Sequence, residues 1–148
     1  MRFDWKLQPL QRKLEWDLDL ARGRVATLSR QQAQAQAALR LLENSRAAQA
    51  AVAQAATQRR ADPALHVQAL AWLATAELQL VCLRAQSLEA EAALADARAA
   101  CLRCNERVEA LAVLHGEALA RFAYAVQREA AKEADFAWLG RRARQELA

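Results

Sequence analysis

Apolar residues return at alternating steps of three and four from Leu73 to Ala125. The stripe runs through Leu73, Ala76, Leu80, Leu83, Leu94, Ala97, Cys101, Cys104, Leu111 and Phe122, and only Ser87 and His115 on it are polar. A 3.5-residue period held for about seven heptads without a proline predicts one long helix wound on a partner helix. The many alanines on the stripe require the partner backbone to approach closely. A second stripe precedes it, formed by Leu14, Leu18, Ala21, Val25, Leu28, Gln32, Ala35, Leu39 and Leu42. Pro9 lies just ahead of that stripe, where the first turn of a helix accepts it. Gly23 falls inside it and costs about 1 kcal/mol relative to alanine, too little to break so long a run. Beyond Leu42 the pattern dilutes into alanine and glutamine, still strongly helix-forming.

The one strong break is Arg59-Arg60-Ala61-Asp62-Pro63. Proline disfavours helical geometry at the residue before it. Asp62 can cap a new helix with Pro63 in its first position. The expected fold is therefore all-α, a single long antiparallel two-helix coiled-coil hairpin over residues 1–148. Its first helix covers about 9–60 and its second about 73–145. Leu65, Val67, Leu70 and Trp72 fall out of phase with the main seam, which predicts a short capping segment over about 61–72. Gly140 is expected to loosen the last turns and fray residues 141–148.

Matching the aromatic groups at the two ends sets Trp16 near Phe122, so the numbers of facing residues should add to roughly 136–140, whereas a tight turn at Asp62 gives about 123. The arms are unequal. The first spans about 75–80 Å at the helical rise, and the second is longer, so its C-terminal part should project beyond the start of the first.

Composition changes this picture little. Hydrophobic residues make up 55% of the 148, but 39 of them are alanine, so the seam is thin and no deep enzyme-like core forms. The net charge of +4 comes from basic and acidic residues interspersed along both stripes, as on solvated helix faces. The segment Met1 to Lys6 is charged and has no apolar signal core, and the uncharged run from Pro63 to Ala76 is short for a membrane span. These features predict a cytoplasmic protein with no direct membrane insertion. Three cysteines, an odd number, fit a reducing compartment.

Catalytic chemistry is not encoded in any recognisable form. There is no glycine-rich phosphate loop, no Ser/His/Asp set and no pair of carboxylates in a cleft, so an enzyme is not expected, nor any cofactor. Cys101 and Cys104 share the seam face with His115, but His115 lies about 16 Å further along the helix, out of reach of one tetrahedral zinc. Small, reduced core residues and a register-setting histidine are the expectation, with no metal. Arg141, Arg142 and Arg144 follow the seam in a segment too short for a forked DNA-binding region, so nucleic acid is not an expected partner. The aromatics are more suggestive. Phe3, Trp5 and Trp16 open the chain, and Phe122, Tyr124, Phe136 and Trp138 lie toward its end. In a hairpin these groups meet at the open end, either as a larger core where the helices splay or as a surface shaped for a partner.

The opening Trp5-Lys6-Leu7-Gln8-Pro9-Leu10, the long two-helix pattern and an ending with Glu129, Asp135 and Ala137 together resemble the FliJ/YscO family. The likeness spans the chain. It implies the central stalk of a type III protein-export apparatus, flagellar or virulence-associated, peripheral to the inner membrane. Such a stalk binds and stimulates a hexameric export ATPase, reaches an export-gate membrane protein with its tip, and binds export chaperones. By this resemblance Trp5, Leu10, Trp16, Phe122, Phe136, Arg141 and Arg142 would face the ATPase at the open end. The family's gate-binding element, an aromatic followed four residues later by leucine, is similar to Trp72 and Ala76, with alanine in the leucine place. The competing expectation is a coiled-coil scaffold or chaperone adaptor with no ATPase role.

Overall fold

The computed structural model describes residues 2–59 and 62–146, and these form two long helices packed against each other, with no strand among the described residues. Helix α1 (Gln8–Gln58) has 51 residues and helix α2 (Pro63–Glu146) has 84. The helical hairpin follows from the two stripes. Every position of the first stripe from Leu14 to Leu42, and of the second from Leu73 to Phe122, is buried or half-buried. Gly23 interrupts nothing.

The separate capping segment expected over 61–72 does not form; its first residue, Ala61, lies outside the described residues. Asp62 explains why. Its Oδ1 accepts the backbone N–H of Ala64 at 2.9 Å, and its carbonyl accepts that of His66 at 3.3 Å. This is an N-cap with proline in the first turn, and α2 starts at once. Nothing after Pro63 breaks the helix, so Leu65, Val67 and Leu70 become its exposed first turns. At the other end Gly140 does not stop it, and α2 runs to Glu146; residues 147–148 lie outside the described residues.

The chain divides into two compact units. One is Asp19–Leu102, and the other joins Met1–Leu18 with Arg103–Ala148. In the first, Ala53, Ala76, Leu80, Leu94 and Ala97 form the buried seam, and Leu80 is 0% exposed. Cross-helix contacts give the register. Arg46 pairs with Glu77, and Thr57 Oγ1 lies 3.3 Å from His66 Nδ1, so facing numbers add to 123. Arg84 Nη2 binds Glu43 Oε1 at 3.2 Å, one turn offset. The Thr57 hydroxyl already donates to the Ala53 carbonyl at 2.9 Å, so His66 Nδ1–H is the donor between the two side chains. The 136–140 register is thereby corrected to the tight-turn one. The Asp62 cap leaves no residues for a wide tip to absorb.

In the second unit Leu18 and Leu111 are buried. The nonhelical segment ahead of α1 returns along α2 and sets Phe3 against Phe122, ring centroids 5.4 Å apart. Trp16 does not meet Phe122. It stands 62% exposed, two residues from the buried Leu18 and on another face of the helix. Among the described residues α2 has no helix beside it beyond Phe122, and every residue from Ala123 to Leu139 is exposed.

Candidate functional site

The open-end residues divide into two groups. Trp5 and Phe122 belong to a small aromatic cluster built around His115. Phe3 lies 5.6 Å from the His115 ring and Trp5 4.9 Å, both near perpendicular, and Phe3 stacks beside Trp5 at 6.5 Å. The cluster forms because Gln8 N–H bonds the Trp5 carbonyl at 3.1 Å and α1 starts there, turning the preceding residues across α2. The Trp5 indole nitrogen is buried and has no hydrogen-bond partner among the described residues. His115, expected as a register-setting residue on the seam, is the half-buried centre of this cap. Leu10 and Trp16 are exposed on α1.

The second group lies on the unaccompanied part of α2. Counting on in the seam period from Phe122 gives Ala125, Glu129, Lys132, Phe136, Leu139 and Ala143. Lys132 Nζ bonds Glu129 Oε1 at 2.7 Å, and the face then turns apolar again. Phe136 is 73% exposed, with Leu139 also exposed one turn further on. Trp138 lies beside them under Arg142, whose guanidinium carbon is 5.4 Å from the ring centroid, a cation–π contact. Arg141 is exposed next to it. Sequence reasoning named Phe136 and both arginines but missed Leu139. The signal was present in the seam period carried past Ala125, where Glu129 and Lys132 hide it.

At the tip, Trp72 is partly exposed and walls an open cleft of ≈ 350 Å³ with Val52, Ala53, Leu65 and Ala69. Ala76 is only 2% exposed, buried in the seam against α1, and cannot share a surface contact with Trp72. The two were placed together by the spacing of a linear motif. On the helix, however, four residues turn Ala76 by about 40°, enough to carry it onto the seam.

Cys101 and Cys104 are half-buried free thiols on the seam, and Cys82 is exposed. Among the described residues no three potential metal-binding side chains converge. The most apolar 18-residue window of α2 has a mean hydropathy of 1.2 and is 11% buried. By length and composition it could cross a membrane, a test that core helices of water-soluble proteins also pass. The family models, the curated proteins and the solved structures contain no match to this chain.

Proposed function

We propose that the protein is the central stalk of a type III protein-export apparatus, which engages a hexameric export ATPase and links it to the export gate. The observation that carries this reading is the seam face of α2 continuing past the start of α1, where Phe136 and Leu139 have no helix to cover them. A coiled-coil stripe kept in phase but uncovered is suited to a helical or ring-shaped partner. Trp138, with Arg142 over its ring, and Arg141 beside it add an aromatic and cationic anchor of the kind that dominates interfaces. The resemblance of the opening and closing segments to the FliJ/YscO family supplies the identity of that partner.

Such a stalk has no catalytic residue. A single asymmetric helix inside a symmetric ring meets each subunit differently. It biases the ring only as far as it binds one subunit state better than another. Trp72, at the edge of its apolar cleft, is the residue assigned to the gate contact, without Ala76.

Truncation after Ala134 removes Phe136, Trp138, Leu139 and both arginines and leaves the paired seam whole. The truncated protein should remain helical by circular dichroism and lose stimulation of a cognate export ATPase. Full stimulation by the truncated chain would remove this end as the ATPase contact.

A further inference from the structure

Helix α2 carries a second heptad stripe, on the face turned away from α1. It starts at Ala64 and proceeds in steps of three and four to Leu102, without a single polar residue. Val67, Leu78, Val81, Leu88 and Leu102 are its large members, and every other position is alanine. All of its residues are exposed, the five large ones between 60% and 75%. The stripe sits two residues out of step with the seam, about 200° around the helix, so α1 covers none of it. Helix propensity accounts for the alanines on a solvent-facing face, but not for the five large apolar residues that share its 3.5-residue period. Apolar a and d positions kept this long, flanked by charges, are the pattern of a helix that pairs with another.

We propose that this face pairs with the same face of a second copy, antiparallel, about a two-fold axis near residues 86 and 87. The flanking charges argue for this occupant. Along one edge of the stripe lie Glu77, Arg84, Glu91 and Arg98, alternating in sign. In the antiparallel arrangement Arg98 of the second copy faces Glu77 and its Glu91 faces Arg84, each joining a pair already made within one copy, Glu77 with Arg46 and Arg84 with Glu43, and the two-fold axis makes each set twice. The core fits in the same register. Leu78 lies opposite Ala95, Val81 opposite Ala92, Leu88 opposite Ala85 and Leu102 opposite Ala71, a large residue against a small one, and only the layer of Ala74 and Ala99 is small on both sides. A parallel pair also gains one contact, Arg84 with Glu89, but sets Glu91 against Asp96. The paired stretch, residues 71–102, covers more than four heptads. This inference is independent of the stalk reading, because it uses none of the open-end or cleft residues and needs no ATPase.

Sedimentation equilibrium of the full chain tests it. The protein should be a dimer that dissociates on dilution. Leu78→Glu with Leu88→Glu should raise the dissociation constant by roughly tenfold or more, with helicity unchanged, because both side chains face solvent within one copy. Glu91→Arg separates the orientations. It sets two like charges against each other, the new guanidinium of one copy opposite Arg84 of the other, and weakens an antiparallel dimer several-fold. In a parallel dimer the same change relieves the clash with Asp96 and tightens association. A full-length chain that stays monomeric at every concentration, a dimer untouched by the double substitution, or tighter association of the Glu91→Arg variant would each overturn the proposal.

Discussion

Trp5 and His115 meet edge to face, 4.9 Å between ring centroids, although one lies ahead of the first helix and the other deep in the second. This contact ties the opening residues to α2 and covers the end of the seam. Its energetics are mixed, since the ring packs well while its buried N–H has no acceptor among the described residues. Trp5→Ala should cost about 1–3 kcal/mol through lost packing, and Trp5→Phe distinctly less, because it removes the unsatisfied donor along with some area. Urea unfolding of the two variants measures the difference. Equal losses would mean that the indole nitrogen is satisfied in solution.

The register is open to direct chemistry. In a background with the native thiols replaced, Arg46→Cys with Glu77→Cys should crosslink through a short bifunctional reagent within one chain. Trp16→Cys with Phe122→Cys should not. The Arg46–Glu77 pair is about half exposed on both sides, so it specifies alignment more than it adds stability.

Among the described residues Leu80 is the one fully buried large side chain. Leu80→Ala should destabilise the fold by about 2–5 kcal/mol. Leu41→Ala, at a position 73% exposed on α1, should shift it by no more than about 0.5 kcal/mol. Thermal unfolding followed by circular dichroism compares them, and similar losses would contradict the seam as described.

The cap that starts α2 is equally testable. Asp62→Ala should cost about 1 kcal/mol, and Asp62→Asn should retain most of the stability, because its amide oxygen can accept the same N–H of Ala64. Chemical denaturation gives both values.

Gly23 and Gly116 sit in helix interiors, and a methyl group at either would meet nothing within 4 Å. Gly23→Ala and Gly116→Ala should each stabilise the protein by about 0.5–1 kcal/mol, read as a raised melting temperature. A loss at either position would reveal a neighbour that the monomer does not provide.

Both stripes were legible in the sequence because burial along a coiled coil repeats every 3.5 residues, so Leu14 to Leu42 and Leu73 to Phe122 could be counted out. Their alignment was harder to read. Pairing Trp16 with Phe122 joined residues by type, whereas the Asp62–Pro63 cap sets where α2 begins and hence the pairs of the unit it opens. Phe3 was the true neighbour of Phe122. A segment ahead of a helix carries no period, so its return along α2 leaves no pattern to count. Ala76 was misplaced for a related reason. A motif spacing gives distance along the chain, but the seam decides which face a residue occupies.

The turn at Asp62 also governs how such a chain can change length. Because the Asp62 cap starts α2 at Pro63, a residue added to one helix alone within Asp19–Leu102 shifts the layers of that unit that lie beyond it. Insertions that preserve the seam must come as whole heptads matched on both sides, each lengthening the hairpin by about 10 Å. Relatives of different size should therefore differ in steps of paired sevens, with the cap left in place, much as a ruler is extended by whole divisions.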